Sequence, residues 1–100
     1  MTAPQNTAPP TISGATRVGA TLTSSTGTWS GTTPLTFTYQ WERSTNGGAT
    51  WSPINGATAR TYTQRLGDLG DRLRVKVTAT NPAGAQTATS GSVGPVRLLL

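Results

Sequence analysis

The chain of 100 residues contains no cysteine and no histidine. A nucleophile–base pair built on either residue is therefore excluded, and a zinc site would lack its usual ligands. Small β domains outside the cell often depend on disulfide bonds, so the absence of cysteine indicates a reducing compartment or a core that is sufficient alone.

Acidic residues are scarce as well, with three Asp and Glu against eight Lys and Arg, a net charge of +5. Hydrolysis by paired carboxylates needs two carboxylate side chains that converge on a cleft. The only near pair here is Asp68 and Asp71, which lie three residues apart in the short segment LGDLGD. We expect this pair to brace a turn, with a weak calcium site as the alternative. The segment also lacks the Lys and Ser or Thr of a phosphate loop. These absences predict a protein that is not an enzyme and carries no cofactor.

Long apolar runs are missing, since no segment reaches the ~20 apolar residues that span a bilayer. The N-terminal sequence MTAPQNTAPP has no basic region followed by an apolar one, and therefore does not resemble a signal peptide. The chain begins with Met, which suits a complete small gene product. Thr, Gly, Ala and Ser dominate in place of long-chain helix formers, a composition typical of all-β domains.

Residues 35–43, LTFTYQWER, alternate between apolar and polar side chains. Such alternation predicts a half-buried antiparallel strand with Trp41 as its largest apolar side chain. We expect the core to form around Trp41, with other strands supplying the rest. The predicted core residues are Leu22, Leu35, Phe37, Tyr39, Trp41, Tyr62, Leu73, Val75 and Val77.

Turn signals recur about every 8–12 residues and divide residues 11–94 into about seven strands, the pattern of an antiparallel β-sandwich. The Asn46-Gly47 step favours positive φ at both positions and predicts a β-hairpin. We expect residues 27–31, GTWSG, to form a loop, and Leu66 and Leu69 to pack beneath one helical turn.

The two ends of the chain differ from this pattern. Residues 1–10 are polar and Pro-rich and predict an extended arm. Residues 95–100 form an apolar tail that should pack on this domain or on a neighbour. The candidate attachment residues are Pro4, Pro9, Pro10, Val96, Leu98, Leu99 and Leu100.

The densest basic group is Arg72, Arg74 and Lys76, at alternating positions that would line the solvent face of one strand. The favoured interpretation is a solvated face that discourages edge pairing. The alternative is a contact site for an acidic partner. Because the basic residues are not clustered with aromatic ones, nucleic acid is not an expected partner.

The spacing Ser44-x-Asn46-x-Gly48-x-Thr50-Trp51 resembles the Asp-box hairpin of sialidase-type propellers, with Asn in place of Asp. A propeller needs several such blades and a much longer chain, so we expect the motif to stabilise a hairpin. Trp29, Trp51 and Tyr62 are candidates for stacking on a sugar. With six aromatic residues in all, we expect most of them to be buried.

Nine short stretches carry a further resemblance: PTISG (10–14), VGATLT (18–23), GTWSG (27–31), YQWER (39–43), INGAT (54–58), YT (62–63), DLG (68–70), LRVKVTATN (73–81) and AG (83–84). In this order they resemble bacterial and phage immunoglobulin-like repeat domains of the cysteine-free type, over residues 9–94. The resemblance implies a two-sheet sandwich with Trp41 on the strand of the core tryptophan. The chain departs from vertebrate immunoglobulin domains because it lacks the inter-sheet cysteines and has Arg72 at the tyrosine-corner position.

The fold hosts many functions, so a function implied by the resemblance is an analogy. The first hypothesis is a phage virion protein, a capsid decoration or tail-associated module attached through its terminal arms. The alternative is a repeat of a secreted bacterial cell-surface or adhesin protein, and a third is a carbohydrate-binding module. The expected partner is a capsid or tail protein or neighbouring copies of the chain, with a host-surface glycan as a further candidate and no membrane. The expected location is the virion surface, or in the alternative the bacterial cell surface or the medium.

Overall fold

A computed structural model of the protein describes residues 1–98. This part contains nine strands and a 3-10 turn at Leu66–Asp68. The strands are β1 (Gln5–Ala8), β2 (Ile12–Ser13), β3 (Thr21–Ser24), β4 (Thr28–Ser30), β5 (Thr36–Ser44), β6 (Ser52–Pro53), β7 (Thr61–Thr63), β8 (Arg72–Asn81) and β9 (Gly84–Thr89).

The strands form three antiparallel sheets. The largest has the order β6-β5-β8-β9, the second has the order β2-β3-β7, and β1 pairs with β4 in a separate ribbon. β5 pairs with β8 along the whole length of β5, from Thr36 opposite Thr80 to Ser44 opposite Arg72. Side chains of the two larger sheets meet in one core, so the predicted all-β antiparallel sandwich is confirmed.

The core lies between the two larger sheets and is centred on Trp41 of β5. Its ring stacks on that of Tyr62 of β7, with centroids 5.8 Å apart, and its Nε1 donates to the carbonyl of Ala59 at 2.8 Å. The indole N–H is therefore satisfied inside the core. The buried apolar residues are Leu22, Trp41, Ile54, Tyr62, Leu73, Val75, Val77, Ala79 and Val96.

Three of the predicted core residues, Leu35, Phe37 and Tyr39, are half-buried. The facing sheet is short, since β3 pairs with β7 over three residues, and its Tyr62 stacks on Trp41 in the C-terminal half of β5. Over the other half, Trp29 of β4 approaches Phe37 with ring centroids 6.3 Å apart. The apolar face of β5 is thus shared between the core and the small ribbon.

The prediction of a loop at residues 27–31 is wrong, because Thr28–Ser30 is strand β4. Its ladder partner is β1, from the predicted N-terminal arm, with Gln5 opposite Ser30. The arm also contacts β9, where the Asn6 N–H donates to Gln86 Oε1 at 2.6 Å. These partners are far apart in the sequence, so no local signal at residues 27–31 predicts the pairing.

The C-terminal segment is also built into the domain. Val93 bridges Leu73 of β8, and Val96 lies in the core with 2% of its surface exposed. Gly94 lies between them at φ +124°, where an added Cβ would lie 2.8 Å from the Asp71 carbonyl oxygen. Only glycine permits this close approach of two backbones.

The described chain begins and ends at opposite poles of a molecule 52 Å long. At the N-terminal pole, Asn81 Nδ2 donates to the carbonyl of Thr2 at 2.8 Å. At the C-terminal pole, the Val18 N–H donates to the carbonyl of Arg97 at 2.8 Å. The ten residues of β8 span about 30 Å between the two poles.

Candidate functional site

The predicted basic stripe lies on the outer face of the four-stranded sheet, where Arg72, Arg74 and Lys76 alternate with buried residues of β8. Arg72 donates from Nε and Nη2 to Ser92 Oγ at 3.1 and 3.0 Å, and from Nη1 to the Gly94 carbonyl at 3.2 Å. Its guanidinium therefore fastens the C-terminal segment to the sheet.

The other two members of the stripe converge on Glu42 of β5, a carboxylate that is 6% exposed. Arg74 Nε lies 2.7 Å from Glu42 Oε1, and Lys76 Nζ lies 3.6 Å from Glu42 Oε2. Arg74 also stacks over the ring of Trp51, with its Cζ 4.4 Å from the centroid. A buried carboxylate needs such partners, so Glu42 holds Arg74 and Lys76 within the domain, and contact of the stripe with an acidic partner stays a prediction.

The predicted hairpin motif forms a polar network between β5 and β6. Ser44 Oγ donates to Asn46 Oδ1 at 2.8 Å and accepts from the Gly48 N–H at 2.8 Å. Asn46 in turn accepts from the Thr50 N–H at 3.0 Å and donates to Thr50 Oγ1 at 2.7 Å. Positive φ occurs at Gly47 and Gly48 and not at Asn46, so the predicted turn is shifted by one residue. The Asn side chain closes the loop.

A second polar network surrounds Asp68, which is 1% exposed. Its carboxylate accepts from the Tyr62 hydroxyl and from the Arg65 N–H at 3.0 Å, and Arg43 Nη2 lies 3.6 Å away. Burial and the bond to Asp68 raise the pKa of Tyr62 from 10.0 to about 12. Burial also raises the pKa of Asp71 above its ordinary value, against the opposing charge of Arg43.

These contacts are those of a braced turn. The donors around Asp68 use its oxygens, and no group of three metal-binding side chains occurs within residues 1–98. In the same range no helix has the length and apolarity to cross a membrane.

The expected packing of Leu66 and Leu69 is wrong, because these side chains are 65% and 45% exposed. Asp68 is the residue of this turn that points into the protein, where Tyr62 and Arg43 hold it. Leu98 is exposed nearby, at 47%. The buried carboxylate therefore turns its leucine neighbours outward, which apolar spacing alone does not indicate.

Three of the five predicted attachment residues that the structure describes are buried in the fold. Pro4, Pro10 and Val96 are buried within their own domain, which for Val96 agrees with the expectation that the apolar tail packs on this domain or on a neighbour. Pro9 and Leu98 are exposed. The remaining two, Leu99 and Leu100, lie outside the described residues.

The candidate sugar-stacking aromatics do not form a row in the part of the chain that the structure describes. Tyr62 is buried and Trp51 lies under Arg74. Trp29 is half-buried and donates from Nε1 to the Thr26 carbonyl at 2.6 Å. A shallow cleft of about 350 Å³ beside β7 is lined by short side chains such as Ala57 and Thr61 and by Arg65.

Residues 6–94 match the model of one protein family, described as a domain of unknown function (DUF8696). The chain belongs to this family. The match begins inside β1 and therefore includes the ribbon strand along with the two larger sheets. A search of curated proteins gave no match.

Proposed function

We propose that the chain is a non-enzymatic structural and binding module with an immunoglobulin-like sandwich. The strand orders support this assignment. β5 carries the core tryptophan and is followed by β8 and β9, as strands C, F and G follow one another in immunoglobulin domains. In the facing sheet β3 lies between β2 and β7, as strand B lies between strands A and E.

For this module we propose a role at the surface of a phage virion, as a capsid decoration or tail-associated protein. The distribution of charge carries the proposal. Asp68, Glu42 and Asp71 are 1%, 6% and 8% exposed, whereas every basic residue of the described chain is half-buried or exposed. Residues 1–98 thus present almost only positive charge to solvent, which favours assembly on a surface of opposite charge.

Particle binding tests this role. The full chain is mixed with purified particles of the phage whose genome encodes it, the particles are sedimented, and the bound copies are counted. We expect saturable binding at a copy number set by particle symmetry. Binding should weaken as the salt concentration rises from about 0.05 to about 0.5 M, because salt reduces the distance over which charges attract each other. Failure to bind at low salt overturns the virion role.

The second candidate is a repeat of a secreted bacterial cell-surface or adhesin protein. Chain ends at opposite poles favour it, because modules of a stalk are joined end to end. Antibody labelling separates the two roles. Label on intact cells that carry the gene but produce no phage supports the stalk role, and label confined to particles supports the virion role.

A further inference from the structure

Three backbone segments meet at the C-terminal pole. The Gly70 N–H donates to the Val96 carbonyl at 2.8 Å, and the Arg97 N–H donates to the Thr16 carbonyl at 3.1 Å. Arg17 and Arg97 face each other across a parallel bridge. Residues 16–18, 65–71 and 96–98 therefore form one continuous surface.

This surface exposes large apolar side chains in an unusual concentration. Three of the four exposed large hydrophobic residues of the described chain, Leu66, Leu69 and Leu98, lie in these segments. Single exposed leucines are common in soluble proteins, but a group of them marks an interaction surface. The turn that carries two of them is held by the buried Asp68, so it presents them in one conformation.

Three arginines lie in the same group of segments as these leucines. Arg17, Arg65 and Arg97 are exposed, and none of them forms an ion pair within residues 1–98. Arg43 and Arg72 lie at the same pole but are engaged by Asp68 and by Ser92. Asp71 of the same pole is 8% exposed, so the charges that this pole exposes within residues 1–98 are all positive. We call Leu66, Leu69, Leu98, Arg17, Arg65 and Arg97 the leucine–arginine surface.

We propose that the leucine–arginine surface docks an acidic face of another protein, with an apolar contact at its centre and carboxylates around it. The inference rests on the proposed assembly role and names the surface and the chemistry of its partner. Charge complementarity selects the partner, since the charges that this surface exposes within residues 1–98 are all cations. The leucines supply the apolar contact that a protein interface has at its centre.

Other occupants suit the surface less well. A second copy would bring like-charged arginines together, which costs free energy. Single-stranded nucleic acid binds through aromatic stacking, and no aromatic residue lies in residues 16–18, 65–71 or 96–98. A membrane surface is typically engaged by clusters of about four to eight Lys or Arg with aromatic anchors, against three unpaired arginines here.

Two synthetic peptides of equal negative charge test the proposal on the full chain. In one, Glu and Leu alternate at helical spacing, and in the other Ser replaces every Leu. We expect the Glu-Leu peptide to bind at least about tenfold more tightly, since leucine burial adds to the charge attraction. Equal affinity for both peptides overturns the apolar part of the proposal. Preferential binding of a DNA oligonucleotide or of phosphatidylserine vesicles overturns it altogether.

Matched variants locate the binding. Arg17→Gln with Arg97→Gln should weaken Glu-Leu peptide binding about fivefold to tenfold. Arg60→Gln removes one exposed positive charge elsewhere and should change binding by less than about 1.5-fold, whereas Arg17→Gln alone should weaken it about threefold. Equal losses in these two single variants overturn the assignment to this pole. Reversal by Arg17→Glu with Arg97→Glu should transfer binding to a Lys-Leu peptide, a gain that an unfolded variant does not give.

A chain that carries both Leu66→Ser and Leu69→Ser is mixed with phage particles and sedimented. This experiment distinguishes failure of the leucine–arginine surface from failure of the virion role. Loss of particle binding by this double variant supports both. Particle binding that remains at the level of the original chain overturns the leucine–arginine surface and leaves the virion role standing. Peptide binding by a chain that does not bind particles overturns the virion role alone.

Discussion

At the scale of single residues, all three acidic side chains of the chain are buried. Each one has a positive charge nearby: Glu42 has Arg74 and Lys76, Asp68 has Arg43, and the charge of Arg43 also acts on Asp71. Removing a charge from water costs several kcal/mol, so these acids are retained only where partners compensate. Arg74 and Lys76, which compensate Glu42, belong to the basic stripe that the sequence offered as a contact site.

Tyr62→Phe should make stability less sensitive to alkaline pH. The folded-state pKa of Tyr62 is raised from 10.0 to about 12, so its contribution is complete below pH 10 and is lost as pH rises toward 12. The variant leaves buried Asp68 without one donor, and we expect it to be less stable at pH 7 by about 1–3 kcal/mol.

Urea unfolding at a series of pH values measures both quantities for the original chain and the variant. The difference between their unfolding free energies should shrink from pH 10 to pH 12. A difference that stays constant over this interval shows that the Tyr62 hydroxyl is not coupled to folding.

At the scale of elements, the loop of the β5–β6 hairpin is held by side-chain hydrogen bonds of Ser44 and Asn46. Asn46 spans the loop to Thr50 through two hydrogen bonds, and Ser44 holds the Gly48 N–H. The loop then places Trp51 beneath Arg74, which links the hairpin to the outer face of the sheet. A single Asn thereby controls both the loop and the stacking of the tryptophan.

Asn46→Ala should destabilise the hairpin by about 1–2 kcal/mol, because it removes both bonds to Thr50. We expect faster amide hydrogen exchange at residues 47–51 and weaker shielding of Trp51 fluorescence from a soluble quencher. Thr45→Ala is the matched control, since Thr45 is an exposed neighbour in the same loop. Exchange that rises equally in both variants would rule out the Asn46 network as its cause.

At the scale of the whole molecule, both terminal segments are structural. β1 pairs with β4 at one end, and residues 93–97 lie against β8 and residues 16–18 at the other. Attachment is therefore tested with point variants at the exposed pole, since deleting either segment removes part of the fold. A surface supplied by three separate segments is held by the whole sandwich.

Val96→Ala should lower the free energy of unfolding by about 1.5–3 kcal/mol, because it removes buried methyl groups and leaves a cavity. Leu98→Ala, two residues away and exposed, should change it by less than about 0.5 kcal/mol. Urea unfolding with an unchanged slope gives both values. If the two variants are equally stable, the C-terminal segment does not pack in the core.

The sequence by itself determined the class of fold and the centre of its core. Alternation along residues 35–43 identified β5, and the same pattern in β8 predicted the buried residues Leu73, Val75 and Val77. This is so because side-chain direction in a strand repeats every two residues and the buried face must be apolar. Composition likewise excluded His- and Cys-based chemistry, because the chain contains neither residue.

Only the tertiary structure decided which strands pair across long separations and which charges remain free. The pairing of β1 with β4, the burial of Val96 and the outward direction of Leu66 depend on partners distant in sequence. The stripe at Arg72 and Arg74 is engaged by groups from other segments, whereas scattered arginines converge at the C-terminal pole. A charge is free or paired according to its neighbours in space, and sequence spacing gives those neighbours only within one strand or turn.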